Sequence, residues 1–280
     1  MGRCQLLYLK RLVRYVPAWF PGAKFKRVGN QGKQYADNMR YWAFDKVKAA
    51  MAEGITDDSI VSKYLHEGSI SEDNLRDAVS AIYGGGVDTT TSTLTHFLFS
   101  VTLYPSWQVR IQEEMDQVLG RGHLPTFDDL PKLSILNAVF KESLRWIPVA
   151  PLGLAHMSSS EDVWNGFYIP KGSFIHCNIG SYVLRDPQIW GKDSQEFNPN
   201  RFLPEHNPSM YDLPDIWSVP FGVCPGKHLG QRTVLLYAAA ILSSYELLPF
   251  EGEHLTPNEP FEDAVIRRVA HFRCTFRPRA

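Results

Sequence analysis

Cysteine is scarce in this 280-residue chain: Cys4, Cys177, Cys224 and Cys274 are its complement, and no two of them form C-x-x-C. That spacing excludes a zinc ribbon or a thioredoxin-type redox motif. So few thiols make no disulfide-dense framework, and a reducing compartment is the expectation. G-x-S-x-G is absent, which removes the serine-hydrolase elbow. G-x-x-x-x-G-K-[ST] is absent too, which removes the phosphate loop. An excess of either charge is also missing, with Lys+Arg 29 against Asp+Glu 30 and a formal net charge of -1. Such a balance points to neither nucleic acid nor an anionic membrane surface. No run reaches the ~18–20 apolar residues that span a bilayer. The most apolar stretch, VLLYAAAILSSYELL at residues 234–248, is shorter and follows Gln231 and Arg232, so it reads as a buried helix. Internal repeats and low-complexity tracts are lacking. The opening MGRCQLLYLKRLVRY has neither the apolar run nor the cleavage site of a signal peptide, and it misses the myristoylation pattern.

What remains is an ordinary globular composition, 44% hydrophobic and 21% charged, long enough for one large core or two modest ones. Residues 16–25 carry two prolines and a glycine and read as a connection, and residues 34–52 as a helix. Residues 71–105 read as a long helix, with Ser71 and the acids after it as its start and Pro105 as its stop. Gly84, Gly85 and Gly86 sit at its middle, each costing about 1 kcal/mol against alanine. They predict a distorted or closely approached helix. Further helices are expected over 107–119, 133–146 and 225–246, with a capped turn around Thr126, Asp128 and Asp129. Between residues 150 and 185 the Asn165-Gly166 and Pro170-Lys171-Gly172 turns separate short strands. Residues 186–223 read as irregular coil, and 261–276 as one or two strands. The total is mainly helix with a small β portion.

Four constellations carry chemistry. Glu142 and Arg145 in KESLRW stand three apart, on one helix face, where a carboxylate and a guanidinium can pair bidentately. Alone, such a pair is a surface salt bridge. Phe197, Pro199, Arg201 and Phe202 in EFNPNRFLPE place an arginine among aromatics, where it needs a partner if buried. Cys224 in FGVCPGKHLGQ precedes a Pro-Gly turn and a long helix, whose dipole favours negative charge there. A thiolate is a soft ligand for iron, copper or zinc, while a lone cysteine is ordinarily a small buried hydrophobe. Cys224 and His228 share a helical spacing, but no second ligand pair matches them. Asp88 and Thr89 in GGGVDTTTS put an acid beside an alcohol at the glycine-rich centre of the long helix, and alone they are a polar patch.

In order and spacing these four resemble the cytochrome P450 family. The family's [AG]-G-x-D-T-T is matched by residues 85–90, its E-x-x-R by Glu142 and Arg145, its F-x-P-x-R-F by residues 197–202, and its cysteine before the last long helix by Cys224, Pro225 and Gly226. PLGLAH, YIPKGS and RDP also sit where the family has similar segments, and the wording is most similar to fungal microsomal members. The resemblance implies a haem-thiolate monooxygenase that inserts one oxygen atom from dioxygen into an apolar organic substrate. It implies haem b (iron protoporphyrin IX) with an axial thiolate from Cys224, and Phe221 and Gly226 beside it. It implies proton delivery by Asp88 and Thr89, a structural network of Glu142, Arg145 and Arg201, and a haem-propionate contact at His156. Electrons would come from an NADPH-cytochrome P450 reductase type donor, and no nucleic acid is expected. Members of this kind sit on the endoplasmic reticulum membrane.

The chain departs from the family pattern in two places. Its cysteine loop reads FGVCPG, with only Gly222 and Val223 between Phe221 and Cys224, where the family has F-x-x-G-x-R-x-C-x-G. The loop glycine and the arginine that meets a propionate are therefore missing. The match also begins in the middle of the family fold. The expectation is one incomplete domain, with residues 1–70 a helical and loop segment and 71–280 the haem-binding core. Exposed apolar surface is expected where the rest of that fold would pack. A second reading follows: a non-catalytic remnant of the same fold. Trp42, Phe44, Ile82, Tyr83, Val149 and Leu152 are apolar residues near candidate pocket segments, and they name no substrate.

Overall fold

A computed structural model describes residues 15–222, 224–257, 261–262, 265–270 and 272–279. They form two compact units, Met1–Gly85 and Gly86–Ala280. Among the described residues no helix is long and apolar enough to cross a membrane.

The first unit holds α1 (Lys24–Ala52), α2 (Ile60–Glu67) and the start of α3 (Glu72–Leu103). Helix α1 begins ten residues before the position expected from sequence, because Gly29 and Gly32 have open space around them and do not interrupt it. The Ser59 hydroxyl caps α2 by accepting from the Ser62 amide at 3.2 Å, and Gly68 ends it in the left-handed conformation at φ 62°. The Ser71 hydroxyl likewise accepts from the Asn74 amide at the start of α3. A small core of Phe44, Val61 and Leu75 joins the three helices. Phe44 is thus a buried core residue of this unit. The Arg76 guanidinium lies 4.7 Å from the centre of the Phe44 ring.

Helix α3 runs unbroken through its three glycines. Close approach explains only the first of them: a Cβ at Gly84 would stand 3.2 Å from the Met39 methyl, whereas Gly85 and Gly86 face open space.

The second unit is built on α4 (Pro105–Val118), α5 (Ser134–Trp146) and α7 (Lys227–Ser244), with the short α6 (Pro187–Trp190) between the last two. Pro105 stops α3 and starts α4 at once: it cannot donate to the preceding turn, and its fixed φ suits the first helical position. Phe97, Phe99, Val101, Ile111, Leu136, Phe140, Leu144, Ala238 and Leu242 are buried in one continuous core. Four two-stranded antiparallel sheets accompany it among the described residues. Strand β1 (His156–Met157) pairs with β4 (Phe174–Ile175), and β2 (Asp162–Trp164) with β3 (Phe167–Ile169). Strand β5 (Tyr245–Pro249) pairs with β8 (Cys274–Pro278), and β6 (Phe261–Glu262) with β7 (Arg268–Val269). The β2–β3 turn follows from Asn165 and Gly166, both at positive φ. Both hairpins between residues 156 and 175 leave apolar side chains exposed, among them Trp164, Phe167 and Phe174.

Buried polar side chains on α4 fix how the helices meet. The Gln108 amide exchanges two hydrogen bonds with the Leu247 backbone, accepting at 2.7 Å and donating at 3.0 Å. Glu114 accepts from the Ser134 hydroxyl at 2.8 Å and from the amides of Ile135 at 2.8 Å and Leu136 at 3.1 Å. It therefore caps α5 from a neighbouring helix, satisfying donors that the helix itself leaves orphaned. Removing this cap leaves two backbone donors buried without partners. Glu114→Ala is expected to lower stability by about 2–3 kcal/mol in urea unfolding. A loss below about 0.5 kcal/mol would mean that water replaces the carboxylate and that the cap is dispensable.

Candidate functional site

The structural heart of the site is α5. Its amphipathic pattern buries Glu142 and Arg145 completely, both at 0% exposure. Arg145 Nε donates to Glu142 Oε2 at 2.7 Å, and Nη2 donates to Oε1 at 2.8 Å. The three remaining donors go to backbone carbonyls: Leu184 at 2.8 Å, Ser194 at 2.7 Å and Glu196 at 2.8 Å. All five guanidinium N–H groups are thus used. Glu142 Oε1 also accepts from the Asn198 amide at 2.7 Å. Burial pushes the Glu142 carboxyl up from the ordinary carboxylate range, and Arg145 opposes that shift through its hydrogen bonds and charge, followed by the Asn198 amide and Arg201.

Arg201 enters from the single 3₁₀ turn Pro199–Phe202. Its Nη2 pairs with Asp193 Oδ2 at 2.6 Å, and its Nη1 donates to the Trp190 carbonyl. Its Nε lies 3.5 Å from Glu142 Oε1, an ion-pair contact without the alignment of a hydrogen bond. The Trp190 ring stacks near Arg145 with its centre 5.5 Å from the guanidinium carbon. Carbonyls of residues 184, 194 and 196 therefore converge on one arginine, and residues 186–223, expected as irregular coil, contain α6 and the 3₁₀ turns Pro199–Phe202 and Met210–Asp212.

Ring contacts lead from α5 towards the cysteine. Phe140 stacks on Trp217 at 5.4 Å, and Trp217 meets Phe221 at 6.3 Å. Phe221 is half-buried, and Gly230 of α7 stands behind it, where a Cβ would come 3.7 Å from the ring. The Cys224 amide donates to the Phe221 carbonyl at 2.9 Å, and the Lys227 amide to the Cys224 carbonyl at 3.2 Å. Gly226 is the N-cap residue of α7. The thiol of Cys224 is free and exposed.

The remaining candidates lie elsewhere in the same unit. Asp88 is exposed on α3, and its Oδ2 stands 3.0 Å from Arg268 Nη2 of β7. Thr89 is half-buried, and its carbonyl accepts from the Thr93 hydroxyl at 2.7 Å. His156 is exposed on β1, opposite Ile175. The structure thus gathers Glu142, Arg145 and Arg201 into one network and Phe221, Cys224 and Gly226 into one turn, and it sets His156 apart from both. A cavity of about 710 Å³ borders the network, lined by Trp190, Asp193, Asn198, Arg201 and His206 among others. None of its lining residues belongs to α3 or to the cysteine turn.

The donor chemistry of the turn fits an axial thiolate. A soft sulfur donor stands unbonded and open at the start of a helix, beside a glycine whose missing Cβ would lie 3.8 Å from it. A model of the family described as cytochrome P450 matches residues 2–274. The chain belongs to the cytochrome P450 family. It is 33% identical to a cytochrome P450 monooxygenase of Armillaria gallica over 96% of this chain and 54% of that one. It is 32% identical to the tryptamine 4-monooxygenase of Psilocybe cyanescens over 95% of this chain and 55% of that one. A zebrafish cytochrome P450 solved with abiraterone superposes with a TM-score of 0.66 and 27% identity, covering 75% of this chain and 50% of that one. The chain spans about half the length of the curated relatives it matches. As a P450 fold, it owes its family motifs to two neighbourhoods, the α5 network and the cysteine turn.

Two residues of the site escaped sequence reading. Arg268 is distant in sequence from Asp88, and no local pattern links them. His96 lies seven residues after Thr89 on α3, two helical turns along, and is 1% exposed. Its Nδ1 is 3.1 Å from the Ile147 carbonyl. Helical spacing alone marks it as facing with Thr89, but not as buried.

Two tests follow. Lysine has three donors on a point charge and cannot serve the five acceptor contacts of Arg145. Arg145→Lys should therefore cost about 3–5 kcal/mol, the scale of a broken buried pair, read by urea unfolding or by failure to fold. Wild-type-like stability would show that the coil 184–202 is held by other contacts. Burial, the largest cause, lowers the His96 pKa from 6.5 to about 4. The unfolded chain then binds a proton that the folded chain does not as pH falls from 6.5 to about 4, so this stabilisation is complete above 6.5 and is lost across that window. The loss is about 3 kcal/mol and levels off below the lower value. His96→Gln should flatten the stability-versus-pH curve over that window; parallel curves would show that His96 is not buried neutral.

Proposed function

We propose that this chain forms the haem-binding core of a monooxygenase that inserts one oxygen atom from dioxygen into an apolar organic substrate. The observation that carries the reading is the free, exposed Cys224 thiol at the start of α7 in a chain of the cytochrome P450 family. Cys224 would hold haem b through its thiolate, and the haem would supply dioxygen activation, which thiolate ligation favours.

The protein's own residues supply position and protons. The stacked series Phe140, Trp217 and Phe221 ties the cysteine turn to α5, so the sulfur is held by the core and not by a free loop. Gly226 leaves the space beside the sulfur clear. Asp88 carries an exposed carboxyl group one residue before Thr89, and in its protonated form such an acid would serve proton delivery, a general-acid role usually worth about 10²–10⁴-fold. His156 stands exposed as a hydrogen-bonding partner for a propionate. An NADPH-cytochrome P450 reductase type partner would deliver electrons, and the endoplasmic reticulum membrane would be the site of action. Several relatives are named as fungal monooxygenases, and a small organic substrate of fungal secondary metabolism suits that company.

One observation favours a second reading, a non-catalytic remnant. Only Gly222 and Val223 separate Phe221 from Cys224. The Cys224 amide closes a tight turn on the Phe221 carbonyl, and FGVCPG has no arginine for a propionate.

The carbon monoxide difference spectrum of the reduced, haem-supplied chain separates the two. A red-shifted thiolate-type Soret band that disappears in Cys224→Ala is the expected result. A spectrum without haem, or with only the blue-shifted band of a site lacking thiolate ligation, would leave the remnant as the correct reading.

A further inference from the structure

We infer that Arg268 is a positioning residue for Asp88: it sets where the acid beside Thr89 points. The consequence for catalysis rests on the monooxygenase reading, whereas the pairing itself rests on geometry alone. Asp88 Oδ2 and Arg268 Nη2 are 3.0 Å apart, with 59% and 50% of their side chains exposed. An isolated ion pair so open to water adds little to stability and is often adventitious.

This pair differs because Arg268 is delivered by a frame anchored to the same helix. It lies on β7, whose register opposes Arg268 to Glu262 and Val269 to Phe261. The Phe261 ring meets His96 of α3 edge-on, at 6.2 Å and 90°. The Arg267 amide donates to the Val149 carbonyl at 2.7 Å, and His96 bonds the Ile147 carbonyl just before it. One buried histidine therefore ties together α3, the segment after α5 and the β6–β7 hairpin. Asp88 lies eight residues earlier on α3, about 12 Å along the axis. The hairpin touches α3 at two points: a buried ring contact at His96, and a charged contact at Asp88.

An aspartate on an open helix face samples several rotamers. The positive charge of Arg268, delivered from β7, favours one of them. A carboxylate held in this way keeps one orientation on the helix turn that also carries Thr89, the next residue in the chain. Arg268 acts through Asp88 and need touch neither substrate nor cofactor.

Amide hydrogen exchange of the whole chain tests the pairing without any activity. Arg268→Gln and Asp88→Asn should each speed exchange of the peptides covering residues 261–270 several-fold. The double variant should add nothing further, and Arg268→Lys should restore slow exchange. Unchanged exchange in both single variants overturns the inference, whether or not the chain takes up haem. Because that readout needs no haem, it stands apart from a blank carbon monoxide spectrum, which sinks only the monooxygenase reading. In the haem-loaded chain with NADPH and a microsomal reductase, the share of electrons lost as hydrogen peroxide should rise several-fold in Arg268→Gln and return in Arg268→Lys. Equal peroxide loss in wild type and Arg268→Gln overturns the positioning role even if the hairpin loosens.

Discussion

A guanidinium with no access to water must find five acceptors or not be buried at all, and Arg145 finds them. Two come from Glu142 one helical turn away, and three from the backbone carbonyls of residues 184, 194 and 196. Each side solves the other's problem. The arginine is neutralised and fully bonded, and backbone oxygens of residues 184, 194 and 196 gain a partner that sheet or helix would otherwise provide. Such a cluster is all-or-none. With one member gone, the rest are buried polar groups without partners, which cost more than the complete network contributes.

The cysteine inherits its place from this arrangement. Arg201 anchors the 3₁₀ turn after the coil through Asp193 and the Trp190 carbonyl. The chain then passes Trp217 and Phe221, which stack back towards Phe140 on the same helix α5. Cys224 follows directly, and α7 starts at Lys227, with Val234, Leu235, Ala238 and Leu242 in the core. The thiol is thus exposed at the end of a buried path. Only Gly222 and Val223 lie between Phe221 and Cys224 in the sequence.

Local chemistry made many elements legible in advance. Ser71 capped α3 and the Asn165-Gly166 pair turned the β2–β3 hairpin, whereas the stretch before Cys224, expected as irregular coil, holds α6 and two 3₁₀ turns. The departures have local causes as well. The early start of α1 crosses two glycines that face open space, where the entropic penalty of glycine is small against a continuing helix. The three glycines of α3 pointed to distortion or close approach, but the helix runs through them and a neighbour closely approaches only Gly84. Phe44, which looked like a pocket residue, faces Val61 and Leu75 instead.

By itself the sequence determined the identity of the chemical groups and their order: acid and alcohol on one helix, Glu and Arg one turn apart on another, an arginine among aromatics, and a cysteine before a last helix. Periodicity and motif order carry that information because they depend on neighbours within a few residues. Whether Glu142–Arg145 is a surface salt bridge or a sealed network depended on which carbonyls stand around it, and those come from about forty to fifty residues downstream. The same is true of Arg268 beside Asp88 and of His96 under Ile147. Burial and long-range pairing are properties of how elements pack, and no local pattern encodes which distant backbone will arrive at a given side chain.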